Sequence, residues 1–205
     1  MKGKIIVPVL VLVGALNAFS ARCEAHPADG KAPAPEQATV RQDAKGGPKY
    51  FTDIELLDQN GSTKRFYSDL LQGKVVVINS FFTECTNVCP VLMKQFTDIQ
   101  NAVGGRLGSA VHLLSLSLDP AHDTPPRVKE YAKRFSAKPG WYFLTGKKQN
   151  VDFALRKLGQ YVEQKEDHYN LFIIGNEKTG LWKKAFGLAK SEKLIEIVEG
   201  VLNDR

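Results

Sequence analysis

The chain has 205 residues, a net charge of +6, three cysteines and four histidines. That length holds one ordinary domain behind a leader and a linker. Its basic residues are dispersed and not interleaved with aromatics, which excludes nucleic-acid binding and leaves an acidic protein partner or a membrane surface.

Lys2 and Lys4 precede an apolar run, Ile5 to Leu16, and small residues follow at Ala18, Ser20, Ala21 and Ala25. This is the layout of an export signal cleaved after Ser20 or Ala25, or of a membrane anchor that stays in place. Residues 1–25 are assigned to it, although Pro8, Asn17 and the short run weaken a membrane span. Cys23 follows Arg22, a poor match to the small residue that lipid attachment at a cysteine needs. The domain is expected outside the cytoplasm, in the periplasm or held on the outer face of the inner membrane. Residues 26–49 are rich in Ala, Pro, Lys, Gln and Gly and lack apolar periodicity, so they read as a flexible linker.

The domain is assigned to residues 50–205. Tyr50 to Leu57 and Ser62 to Tyr67 flank Asp58-Gln59-Asn60-Gly61, where Asn-Gly is a strong hairpin signal. Val75 to Ile78 is a β-branched run suited to a strand buried on both faces. Val91, Leu92, Phe96, Ile99 and Val103 recur at helical spacing up to Gly104-Gly105. Val111 to Leu118 predicts a second central strand, closed by Asp119-Pro120. Thr124 is the expected N-cap and Pro125 the first-turn residue of a helix whose inner face is Val128, Tyr131, Ala132 and Phe135. A short strand at Trp141 to Leu144 and a helix over Asn150 to Leu158 follow. Leu171 to Ile174 and Leu181 to Phe186 predict a second hairpin, and Leu194, Ile197, Val198 and Val201 a final helix. This order gives an α/β, thioredoxin-like fold with an added N-terminal β-hairpin.

Cys85 and Cys89 stand four apart at the junction between a strand and a helix that begins with Pro90. First-turn N–H groups and the helix dipole stabilise negative charge there, so thiolates are expected to form more easily. A disulfide with only three residues between its cysteines constrains the unfolded chain little, so such a bridge is redox-labile, not structural. The spacing places the two sulfurs about one turn apart, facing one point. Thioredoxin-type enzymes separate their cysteines by two residues; the third opens the bite and suits a soft metal such as Cu(I), and an added imidazole lets the site also hold Cu(II).

Four histidines compete for that third position. His26 lies in the linker, His112 in an apolar strand as a core or face residue, and His122 in a loop as an outer or transient ligand. His168 is the best placed, in Glu166-Asp167-His168-Tyr169 just before the strand from Leu171. There a thioredoxin-like fold abuts the N-terminus of its active-site helix. Asp119 and Asp123 are equally consistent with turn formation and capping or with a functional role. Phe81, Phe82, Trp141, Tyr142 and Phe143 read as core and pocket walls.

From Tyr50 to the C-terminus the chain resembles the Sco/SenC family of copper-binding, thioredoxin-like proteins that serve cytochrome oxidase assembly. The resemblance rests on the Asn60-Gly61 hairpin, Cys85-x-x-x-Cys89-Pro90, Leu118-Asp119-Pro120 with Asp123-Thr124, and Asp167-His168. It implies that Cys85, Cys89 and His168 are copper ligands and that Asp119 is an accessory residue in metal transfer or partner contact. It also implies a membrane oxidase subunit that receives copper, or another thiol protein, as partner. Thr86 and Asn87 replace the Pro and Asp that the family places between its cysteines; losing that acid is expected to lower the thiol pKa values. Tyr169 replaces a small hydroxyl residue.

Other chemistries use the same residues. A thiol–disulfide oxidoreductase needs only Cys85 as attacking and Cys89 as resolving thiol. Thr86-Asn87-Val88-Cys89-Pro90 resembles the peroxiredoxin Thr-x-x-Cys-Pro element, but Phe82 replaces the upstream proline and Cys85 crowds the peroxide pocket. A structural zinc site wants four ligands, and three convincing donors converge.

Overall fold

The computed structural model describes residues 39–41 and 50–205. The export or anchor segment, with Cys23, and most of the expected linker, with His26, lie outside the described residues. No described helix is long and apolar enough to cross a membrane.

In chain order the strands and helices are β1 (Thr39–Arg41), β2 (Glu55–Leu57), β3 (Thr63–Arg65), β4 (Val75–Phe81), α1 (Cys89–Val103), β5 (Val111–Ser117), α2 (Pro125–Lys133), β6 (Trp141–Leu144), α3 (Lys148–Leu158), β7 (Leu171–Asn176), β8 (Leu181–Phe186) and α4 (Ser191–Leu202). Six strands form one sheet in the order β1-β8-β7-β4-β5-β6, and β2 and β3 form a separate hairpin. β4 runs parallel to β5 and antiparallel to β7, so both of its edges are paired. The architecture is the expected thioredoxin-like α/β fold with an N-terminal hairpin.

Alternation along β4 explains its unbroken apolar run. Val75, Val77 and Phe81 face a cluster made with α1, α2 and α4, whereas Val76 and Ile78 face one made with α3 and the chain around the hairpin. A strand buried on both faces has no polar side to show. Each fully buried Leu, Ile or Phe contributes about 1.5–3 kcal/mol, so the two clusters hold the sheet from either side.

Three details differ from the pattern in the sequence. Thr39–Arg41, inside the expected linker, pairs antiparallel with Leu181 to Lys183 of β8; a β-branched pair, Thr39-Val40, meets an open sheet edge there. The first hairpin has strands of only three residues. Phe66, Tyr67, Leu70 and Leu71 recur at helical spacing instead, and the chain winds at Phe66–Leu71 to bury all four. Thr124 holds the N-cap backbone position of α2, but its hydroxyl makes no capping bond. Prolines at 125 and 126 carry no N–H, which removes two of the donors a cap would serve.

The hairpin turn is built as its residues demand. The Asp58 carboxylate accepts hydrogen bonds from the Asn60 and Ser62 N–H groups at 2.8 and 2.9 Å, and Gly61 takes φ +77°. Gln59 reaches across to β6, donating to the Trp141 carbonyl and accepting from the Phe143 N–H, each at 3.0 Å. Before β6, Gly140 adopts φ +99°, and a Cβ on it would lie 2.3 Å from the Gly108 backbone nitrogen. Gly140→Ala is therefore expected to lower unfolding stability by about 2–4 kcal/mol, read by urea denaturation.

Candidate metal centre

β4 carries the chain to Phe81 and Phe82, and a short loop delivers Cys85 before α1 opens at Cys89. Because β7 is antiparallel to β4, its N-terminal end lies at the same edge of the sheet. The register pairs Ile78 with Ile173, and the chain just before β7 brings the His168 ring against Phe82. Their rings meet edge to face, with centroids 5.7 Å apart.

Three donors converge at this point. The Cys85 sulfur, the Cys89 sulfur and a nitrogen of His168 all lie within 4.8 Å of one another, the only such trio of His, Cys, Asp or Glu found among the described residues. Cys89 Sγ stands 3.9 Å from His168 Nε2. Both cysteines are free thiols, Cys85 partly exposed and Cys89 fully buried in the core. The other His168 nitrogen, Nδ1, lies 2.8 Å from the Lys165 carbonyl oxygen. A carbonyl only accepts, so Nδ1 carries a proton, and in the neutral ring Nε2 presents its lone pair toward the sulfurs. An imidazole so arranged is ready to bind a metal.

Cys89 departs from the expectation for a helix N-terminus. Burial pushes its thiol pKa up, and Cys85 and then the Asp123 carboxylate add to the shift; only a hydrogen bond from the Phe82 backbone opposes it. Desolvation outweighs the helix dipole. The acid absent between the cysteines has a counterpart in Asp123, which comes from a different loop. Tyr131, whose buried hydroxyl has no hydrogen-bond partner, is likewise held protonated by burial and then by Cys89 and Cys85.

Asp123 is 1 % exposed and holds the loop that carries Cys85. Its carboxylate accepts from the Thr83 N–H at 3.2 Å, the Thr83 hydroxyl at 2.5 Å and the Ser117 hydroxyl at 2.6 Å. It acts as a clamp between loops instead of capping α2. Asp119 is bound differently. It accepts from Lys165 Nζ at 2.6 Å and from His122 Nδ1 at 2.8 Å. Burial raises its carboxyl pKa, but those two partners outweigh burial and hold it below the usual range. Neither acid is among the converging donors, and His122 is engaged with Asp119.

His112 is the core histidine its strand suggests. It is buried between the Leu70 and Gly108 carbonyls at 2.9 and 3.2 Å. Burial pushes its pKa down against those two contacts. Lys165, Thr83 and the clamp role of Asp123 had no sequence signal. Apart from Ser117, which is six residues from Asp123, their partners lie 40 or more residues away.

Residues 42–202 match the sequence profile of SCO1/SenC. An SCO2-like protein of Rickettsia conorii is 32% identical over 210 residues, covering 98% of this chain and 95% of that protein. Yeast Sco1, solved with copper bound, superposes with a TM-score of 0.61 at 25% identity, over 74% of this chain and 92% of that one. BsSco, described as a member of the Sco family of cytochrome c oxidase assembly proteins with a disulfide switch, gives a TM-score of 0.62 at 24% identity, over 76% of this chain and 94% of that one. That last likeness is one of fold.

Two predictions follow from the clamp and the buried thiol. Asp123→Ala leaves Thr83 and Ser117 without their acceptor and should cost about 3 kcal/mol in urea unfolding. Cys89 binds its proton more tightly folded than unfolded. Its contribution to stability is thus present below the unfolded thiol pKa, about 9, and lost as pH rises above it. The thermal midpoint of the reduced, metal-free protein should fall between pH 9 and 10 by circular dichroism, and Cys89→Ala should flatten that slope.

Proposed function

The chain belongs to the SCO1/SenC family, and from that premise we propose that it binds copper through Cys85, Cys89 and His168. It carries the copper to, or matures, the dinuclear copper site of a respiratory oxidase. The observation that carries this reading is the convergence of two thiols and one imidazole within 4.8 Å, with the imidazole already in its ligating tautomer. Support comes from the copper in yeast Sco1 and from the oxidase-assembly description of BsSco.

The donor set suits the cargo. Two thiolates satisfy Cu(I), a soft cation, and an added neutral imidazole accommodates Cu(II). Copper displaces the proton that burial keeps on Cys89, so binding releases protons and strengthens with pH. Both sulfurs must be reduced. Oxidation of the pair to a disulfide removes two protons and two electrons and closes the site to metal.

Thiol–disulfide exchange through the same pair is served less well. Cys85, partly exposed, is placed to attack a partner disulfide and release the partner's thiolate. Resolution then needs the Cys89 thiolate, which the core disfavours until a metal or base removes its proton. The signal-like segment at Lys2 to Leu16 supports a location outside the cytoplasm, with export or anchoring to the membrane. A recipient would approach over the exposed apolar side chains Val91 and Tyr169, which neighbour Cys89 and His168 in the chain.

Copper titration of the reduced protein tests the assignment. One Cu(I) per chain is expected, and Cys85→Ser or Cys89→Ser should abolish tight binding of both oxidation states. His168→Ala should weaken Cu(II) by more than the roughly 10- to 100-fold that loss of an outer-shell partner costs, and Cu(I) far less. Equal tolerance of copper by all three variants would refute the reading. Absence of stoichiometric copper alongside ready disulfide exchange would favour the oxidoreductase.

A further inference from the structure

His168 is supplied by a weakly built piece of chain. It follows a single 3-10 turn, Lys165–Asp167, which has no buried residue, and it has an extended backbone at φ −63° and ψ 146°. Within that turn the backbone makes one hydrogen bond, from the Asp167 N–H to the Gln164 carbonyl at 3.0 Å. Yet the acceptor that sets the imidazole tautomer is the carbonyl of Lys165, in this same turn.

The Lys165 side chain supplies what the backbone lacks. Its Nζ donates to Asp119 Oδ2 at 2.6 Å, stands 3.9 Å from Glu84 Oε2 and lies 5.1 Å above the Phe82 ring. Phe82 is also the ring that His168 meets. Asp119 is itself fixed to the end of β5, because its N–H donates to the Ser117 hydroxyl at 3.0 Å and its other oxygen accepts from His122. The two side chains are 25% and 13% exposed. This pair is more shielded than the surface ion pairs that contribute little, and its bond is charge-assisted and short.

We propose that Lys165 is a positioning residue for His168. Its ammonium, held by Asp119, fixes the carbonyl that keeps the proton on Nδ1 and leaves Nε2 free for metal. The proposal rests on the copper-binding reading of the trio and deepens it, giving Asp119 the task of anchoring the third ligand's strap. Neither Lys165 nor Asp119 touches the metal.

The test uses the full chain, reduced, as wild type, Lys165→Met, Lys165→Arg and Asp119→Asn. Nitrogen-15 NMR of the metal-free protein reads the His168 tautomer. Titration with Cu(I) and Cu(II) salts against competing chelators reads affinity. Wild type should show a protonated Nδ1 and a bare Nε2. Lys165→Met and Asp119→Asn should show a mixture of tautomers and lose roughly 10- to 100-fold in Cu(II) affinity, with Cu(I) affinity kept. Lys165→Arg preserves the charge and should retain both the tautomer and the Cu(II) affinity. Unchanged His168 signals and Cu(II) affinity in Lys165→Met would overturn the proposal. So would equal losses of Cu(I) and Cu(II), which mark general loosening, or failure of Lys165→Arg to rescue. If the wild type itself binds no copper, the copper reading fails, while the metal-free imidazole spectra still decide whether Lys165 sets the tautomer.

Discussion

One sulfur sets the terms for the rest of the site. Cys89 is wholly buried beneath the first turn of α1 and packs in the same cluster as Leu92, Met93 and Phe172, yet it also stands 3.9 Å from the imidazole of His168. A buried thiol is cheap to keep neutral and costly to ionise, so the core favours the protonated form. A soft cation reverses that preference because it replaces the proton with a bond. Burial thus makes Cys89 selective: it resists ionisation when empty and would yield to a soft metal. A residue at the same helix terminus but exposed to water would have been a better nucleophile and a less discriminating ligand.

The other two donors come from loops, and each loop is tied down by a buried or half-buried carboxylate from the chain after β5. Asp123 holds Thr83, two residues before Cys85, while Asp119 holds Lys165, three residues before His168. The sheet explains why one segment serves both. β5 lies beside β4 in parallel, so the ends of both strands open on the same edge, and β7 enters from that edge on the other side of β4. A short loop after β5 therefore reaches the loop after β4 and the strap before β7. The convergence of the three donors is a property of strand order as much as of the residues themselves.

That dependence marks where sequence reasoning succeeds and where it stops. The strands and helices were legible because burial imposes a period: the unbroken run from Val75, the helical recurrence of Leu92, Phe96, Ile99 and Val103, and that of Leu194, Ile197, Val198 and Val201 each mark a buried face, whereas Val91, expected on the inner face of α1, is exposed. The donors were legible because Cys85 and Cys89 are close in sequence and His168 precedes a recognisable strand. The supports were not. Asp123 was equally open to a turn or capping role beside Thr124 or to a functional one, and only its three hydrogen bonds to Thr83 and Ser117 show a clamp. Helix-terminus reasoning also gave the wrong sign for the Cys89 thiol, since the dipole is a local effect that sequence shows and desolvation is a tertiary one that it does not.

The same supports rank the three candidate ligands by how readily each moves. Cys89 is anchored by the core, and displacing it would disturb α1. Cys85 lies in a loop clamped at Thr83 but partly exposed to solvent. His168 depends on a one-turn strap whose hold comes through Lys165. Ligand exchange proceeds by replacing one donor at a time, and the donor with the least structure behind it leaves first. Two thiolates suffice for Cu(I), so in the proposed copper complex the imidazole could depart without loss of the metal. Its departure would open a coordination position to an incoming donor while Cys89 held the ion. If the chain passes copper on as proposed, an incoming site would have to displace Cys85 before Cys89 to keep the ion bound at every stage.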